Sequence, residues 1–391
     1  MAREQIRFGV IGLGLMGREF GSAAARWCHL TGDGPVPVIT GICDSNKDSH
    51  AWFLDNFPSI KIATDNYQDL LASDEIDAIY CAVPHNLHEQ MYVDTIRAKK
   101  HLMGEKPFGI DKKANDNILA AIDENPDVVV RCSSEFPYFP AMQRLIQWIR
   151  EERFGRIIEV RSGFNHCSDM DVKKAINWKR MIELNGEYGC MGDLGLHTQH
   201  VPFRVGWVPK TVHASLSNIV PERSDGCGGM AKCETWDNAV LSCVAEDHTG
   251  KEFPIFFETK RMEPGSTNNW FLEVFGLDGS AKFSTMEPRS FYYLETSGKE
   301  QAWSKLGIGY HPLLPTITGS IFEFGFSDAI LQMWGVFLKE IAGEDPGFGC
   351  VTPHETHVSH ALLTAALNSH KNRSVEKVLY DPGRAKPDQA K

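Results

Sequence analysis

Over the first third of the chain, unbroken apolar runs alternate with segments whose apolar residues recur every three to four positions. IRFGVIGL (6–13), PVITGICD (37–44), IDAIYCAVP (76–84) and DVVVRCSSEF (127–136) are runs of the kind that buried parallel strands show. GREFGSAAARWCHL (17–30), HEQMYVDTIRAKK (88–100) and DKKANDNILAAIDEN (111–125) read as helices, the last with Asp111 as its N-cap. The second of these feeds the short run HLMG (101–104), which ends on Glu105-Lys106-Pro107. Strands alternating with helices predict a doubly wound, Rossmann-type parallel sheet with helices on both faces.

After about residue 155 the pattern changes. RIIEVRSGFNH, KTVHASLSNIV, DNAVLSCVAED, EFPIFFETKR and WFLEVFGLDGSAKFS are strand-like pieces joined by turn residues with few helices between them. They predict a mostly antiparallel open sheet in an α+β domain. Two late helical stretches, 326–343 and 353–372, are expected to cover or flank that sheet. The expected division is a nucleotide-binding domain over 1–135 and a substrate-binding and oligomerisation domain over 136–391, with a mobile polar tail.

A length of 391 residues agrees with two cores, and 42% apolar with 23% charged residues is ordinary for a globular chain. A net charge of −11 argues against nucleic acid or an anionic membrane as partner. No apolar stretch approaches the roughly 18–20 residues of a membrane span, and the N-terminus lacks a signal-peptide core. Ten scattered cysteines without a secretion signal read as reduced thiols, which places the protein in the cytoplasm. Cys227 and Cys233, in CGGMAKC, have the wrong spacing for a zinc site, so no metal is expected.

Gly12-Leu13-Gly14-Leu15-Met16-Gly17 follows a strand and opens a helix. Glycines there permit a tight turn and let backbone N–H groups approach a pyrophosphate. Asp44 ends the second strand, where a carboxylate can accept hydrogen bonds from ribose hydroxyls; as a plain alternative it is a turn residue. Ser45 and Asn46 follow it, with no arginine to meet a 2′-phosphate, so NAD is favoured over NADP. Further on, Asp193 and His197 stand four apart in GDLGLHTQH and share one helix face. There the carboxylate can orient the imidazole for acid–base work, or the two can form a simple ion pair or cap.

GLGLMG, Asp44, VPHNLH (83–88), GEKP (104–107) and NWKR…GCMGDLGLH (177–197), in that order, resemble the glucose–fructose oxidoreductase / inositol dehydrogenase / rhizopine-catabolism (Gfo/Idh/MocA) family. The resemblance implies that Lys106 meets Asp193 and His197 at the nicotinamide. Lys106 would favour a developing alkoxide while His197 takes the proton and hydride leaves for the nicotinamide. It implies that Val83, Pro84, His85 and His88 form a turn running past the cofactor next to Glu105 and Lys106, and that Trp178 and Lys179 line a sugar pocket. His166 is a further pocket candidate. The chain departs from the family where His200 follows His197 and where Glu135 and Pro137 follow the sixth strand; Glu135 and His200 are taken as pocket residues.

The expected activity is NAD-dependent oxidation of a secondary alcohol on a sugar, polyol or glycoside. The alternatives are a glycosidase that cycles its NAD and a non-catalytic sugar or NAD sensor. The open face of the second sheet is expected to be covered in a homodimer or homotetramer.

Overall fold

The structure, a computed structural model, describes residues 3–295, 300–308, 311–319 and 324–384. The polar tail expected to be mobile lies largely beyond these residues. β1 (Gln5–Ile11), β2 (Val36–Cys43), β3 (Ile62–Thr64), β4 (Ala78–Cys81), β5 (His101–Gly104) and β6 (Val130–Cys132) form a parallel sheet in the order β3-β2-β1-β4-β5-β6. The intervening chain carries α1 (Leu15–Ala25), α2 (His50–Asn56), α3 (Tyr67–Leu71), α4 (His88–Arg97) and α5 (Lys112–Asp123). Asp111 caps α5, its carboxylate accepting the Ala114 N–H at 2.8 Å. Strand order reverses between β1 and β4, which opens a crevice at the carboxyl ends of the strands. β6 is shorter than the run 127–136 suggests, because after Cys132 the chain turns across that crevice as Ser133-Ser134-Glu135.

α6 (Pro140–Arg150) leads to the second sheet. Its strands are β7 (Ile157–Asn165), β8 (Thr211–Ser217), β11 (Asn238–Glu246), β12 (Glu252–Lys260), β13 (Asn269–Gly276), β14 (Gly279–Ser284), β15 (Ser290–Glu295), β16 (Ser304–Gly307) and β17 (Glu376–Lys377). A separate hairpin pairs β9 (Glu222–Ser224) with β10 (Met230–Lys232). The order is β16-β15-β14-β13-β7-β12-β11-β8-β17, antiparallel except where β7 and β12 run parallel. After the short α7 (Ile182–Asn185), α8 (Cys190–Arg204) lies across this sheet and is buried from Cys190 to Phe203. A helix enclosed on every side brings whatever charge it carries into the interior.

The two late helices do not simply cover the second sheet. α9 (Phe326–Ile341) packs on α1, with the Trp334 ring 3.9 Å from that of Phe20 and edge-on to Phe8 and Tyr80. Its stretch Ala329–Leu338 is buried all round, so it needs apolar neighbours on more than one side. α10 (Pro353–Asn372) starts with a Thr352/Glu355 capping box and packs on β8, α8 and α5. Both helices thereby tie the last part of the chain to the first sheet, and the main apolar core runs through both sheets.

Candidate active site

One cavity of about 870 Å³ runs from the glycine turn to α8. At its nucleotide end the chain is backbone and small side chains. Gly12 has φ +91°, and a Cβ there would lie 2.3 Å from the Ala82 carbonyl oxygen. A Cβ on Gly17 would meet the Gly12 carbonyl oxygen at 2.3 Å, so Gly17 packs the turn and does not line the cavity. Gly14, at the N-cap of α1, has nothing within 4 Å of its Cβ position, which leaves the helix N-terminus open to an anion. The Asp44 carboxylate accepts N–H groups of Leu13 and Asn46, each at 2.8 Å, and still borders the cavity beside Ser45, Leu15 and Met16. Lys47, the nearest cation downstream, pairs with Asp65 at 3.1 Å. This donor set and open helix end fit a dinucleotide whose ribose hydroxyls meet Asp44.

After β4, Val83, Pro84 and His85 line the cavity. The His85 ring lies 5.0 Å from that of Trp178, and its Nδ1 bonds the Asn185 carbonyl at 3.0 Å. His88 does not reach the cavity. Its Nε2 bonds the Val83 carbonyl at 3.0 Å and its ring stacks on Tyr92, so it braces the turn from behind.

Glu105 ends β5 buried. Tyr80 Oη and Ser133 Oγ donate to its carboxylate at 2.9 and 2.6 Å, and Tyr92 Oη donates to its carbonyl at 2.9 Å. The next peptide, Lys106–Pro107, is cis. Lys106 Nζ reaches Asp193 Oδ1 at 2.8 Å. Lys179 Nζ joins the same carboxylate at 2.9 and 3.1 Å, and Arg261 Nη2 joins it at 3.3 Å. Burial works to raise the Asp193 carboxyl, but the three cations hold it well below the usual carboxylate range. Burial works to lower the Lys106 ammonium, and Asp193 more than reverses that, so Lys106 stays charged. Burial, with Lys106 beside it, brings Lys179 below its ordinary value.

The expected orientation of His197 by Asp193 does not occur. Asp193 is taken up by cations arriving from β5, the 166–181 loop and the end of β12, whereas His197 is held from another side. Its Nδ1 lies 3.2 Å from Ser134 Oγ and 3.9 Å from Glu135 Oε2. Phe136 and Phe164 meet its ring edge-on, and Trp270 Nε1 donates to its carbonyl at 3.0 Å. Burial, then the nearby Lys106 charge, keeps His197 well below its ordinary value and neutral at pH 7.

Trp178, Lys179, Glu135 and His166 line the cavity with Ser168, Thr267, Asn268 and Phe326. His166 Nδ1 bonds Ser168 Oγ at 2.8 Å, and burial lowers its imidazole to about 4. His200 is not a pocket residue. One turn past His197 it faces Arg204, 3.3 Å from its Nε2, and packs on Phe348, away from the cavity. Sequence reasoning missed Arg261 and Ser134. Nothing local marks Arg261, while Ser134 stands next to Glu135 in the turn already singled out.

Residues 6–132 match the family described as "Oxidoreductase family, NAD-binding Rossmann fold". The chain is 23% identical to levoglucosan dehydrogenase of Pseudarthrobacter phenanthrenivorans, over 72% of this chain and 74% of that protein. It is 22% identical to 2,7-anhydro-N-acetylneuraminate hydratase of Escherichia coli, over 72% of this chain and 68% of that protein. Among solved structures, levoglucosan dehydrogenase in complex with NADH and levoglucosan shares the fold, with a TM-score of 0.85 at 20% identity over 96% of this chain and 100% of that one.

Proposed function

We propose that this chain, whose residues 6–132 belong to the Gfo/Idh/MocA oxidoreductase family and its NAD-binding Rossmann fold, is an NAD-dependent dehydrogenase of a secondary alcohol on a sugar, polyol or glycoside. Residues 1–135 are read as the NAD-binding domain and 136–391 as the substrate domain. One observation carries the reading: Gly12, Gly14 and Asp44 share a single cavity with Lys106, Asp193 and His197. When bound, NAD supplies the hydride acceptor. Lys106, kept charged by Asp193, donates a hydrogen bond to the carbinol oxygen and favours its alkoxide. His197, neutral, accepts the carbinol proton. Trp178, His166 and Lys179 offer a ring face and polar groups suited to a sugar.

The test is absorbance of reduced nicotinamide when protein and NAD meet a panel of sugars, polyols and glycosides. NADH formed with one substrate class, and lost in Lys106→Met and His197→Ala, supports the reading. The hydratase relative from Escherichia coli favours a second reading, in which the alcohol is oxidised only transiently and NADH does not accumulate. Product release without NADH would select it.

We also read the protein as a cytoplasmic homo-oligomer. All ten cysteines are unpaired, which suits a reducing compartment. Along β8 and β11 buried residues alternate with exposed ones, among them Val240, and this outer face is the candidate self-association surface. Light scattering on purified protein would return a monomer mass if that is wrong.

A further inference from the structure

Resting on the dehydrogenase reading, the geometry points to Glu135 as the proton-accepting partner of His197. The carboxylate receives the proton from Nδ1 as Nε2 takes one from the substrate carbinol. A carboxylate is needed here, since burial and the charges of Lys106 and Lys179 oppose an imidazolium at His197, and Asp193 only partly offsets them. Asp193, on the same helix face, cannot serve because Lys106, Lys179 and Arg261 already engage both of its oxygens. Glu135 Oε2 is within ion-pair reach of Nδ1 at 3.9 Å, and both side chains are about 95% buried, with relative exposures of 5% and 6%.

Ser134 Oγ, 3.2 Å from the same nitrogen, turns Nδ1 toward the β6 end of the crevice. That leaves Nε2 for the substrate. The proton inventory closes. The carbinol O–H breaks and Nε2–H forms; Nδ1–H breaks and Oε2–H forms once the two side chains draw in from 3.9 Å to hydrogen-bond distance. The neutral imidazole is restored, and the proton rests on a carboxyl that borders the cavity.

Charged and titratable groups facing the pair are Glu105 and Lys106 from the end of β5, Asp193 and His200 from α8, Lys179 from the preceding loop and Glu19 from α1. Burial, with Glu105 adding to it, raises the Glu135 carboxyl to about 7, where it can take and return a proton at neutral pH.

Because Glu135 acts through His197 and not on substrate, its signature lies in the pH dependence and in its own titration. The first measurement is carboxyl ¹³C NMR of glutamate-labelled protein. One signal should titrate near pH 7, vanish in Glu135→Gln and shift in His197→Ala. The second is kcat against pH for wild type, Glu135→Gln and Glu135→Asp. Glu135→Gln should lose the acidic limb near pH 7 and about 10²-fold in kcat, with KM nearly unchanged, and Glu135→Asp should restore the limb. The proposal is overturned if no glutamate titrates above the ordinary range, or if Glu135→Gln keeps the wild-type limb and rate. Absence of NADH with every substrate would instead defeat the dehydrogenase reading, and the NMR titration would still decide whether Glu135 and His197 are coupled.

Discussion

The two ends of the cavity are made from different materials. At the nucleotide end, Gly12, Gly14 and Gly17 shape a turn through what they lack, and contact is offered by backbone N–H groups and a helix terminus. At the substrate end, three cations converge on one buried carboxylate, and a second carboxyl faces a neutral imidazole. The first end works by sterics and tolerates no added atom at Gly12 or Gly17. The second works by charge and tolerates no missing partner. Binding and chemistry should therefore fail separately, and variants at each end can show whether they do.

The largest effect should come from Asp193→Asn, which leaves Lys106, Lys179 and Arg261 without their shared counter-ion. Removing one partner of a buried ion pair costs about 3–5 kcal/mol. The Asp193 carboxyl is depressed on folding, so its stabilisation is present above the unfolded value and is lost as pH falls through the folded one. Denaturant titrations should thus show the variant's deficit in full at neutral pH and shrinking in strong acid.

Lys106→Met should lower kcat about 10³-fold, or roughly 4 kcal/mol, by removing the donor to the alkoxide. NADH affinity, read from nucleotide fluorescence, should change only a few-fold. A joint loss of both would mean that the two ends are not separable.

Gly12→Ala probes the other end, where a Cβ would stand 2.3 Å from the Ala82 carbonyl at a φ of +91°. The turn must shift, and NADH binding should weaken about 10²-fold, near 3 kcal/mol. The kcat–pH profile at saturating NAD should keep its wild-type shape.

The last effect is of similar size to that of Gly12→Ala, carries the opposite sign and is on stability. The folded state holds Glu135 protonated up to about pH 7, so between the unfolded value near 4.5 and that pH it binds more protons than the unfolded chain. Stability therefore falls as pH rises through this window. Glu135→Gln should be up to about 3 kcal/mol more stable than wild type at pH 8, and equal to it below the window. Melting temperatures at both pH values would show it, and equal differences at the two would contradict a raised Glu135.

Legibility in the sequence follows the same division. The glycine turn, the parallel strands and the cap at Asp111 were all readable, because each depends on neighbouring residues and backbone sterics. The Asp193/His197 spacing put both on one helix face, yet it said nothing of that helix's burial and suggested the wrong partnership. His88 and His200 carried the right residue type in the right motif, but one braces a turn from behind and the other faces Arg204. The stretch 326–343 was recognisably a helix, but its destination against α1 depended on the Phe8, Phe20 and Tyr80 rings far away in the chain.

What the sequence by itself determined is the alternation of strands and helices, the change of period after about residue 155, and a nucleotide turn that only glycine can make. What the tertiary structure alone decided is which charge meets which. Lys106, Lys179, Asp193 and Arg261 come from four separated segments, and Glu135 is brought beside His197 by the end of β6. Backbone preferences act between neighbours and leave a trace in the chain. Coulomb attraction and desolvation act between groups that only folding brings within a few ångströms.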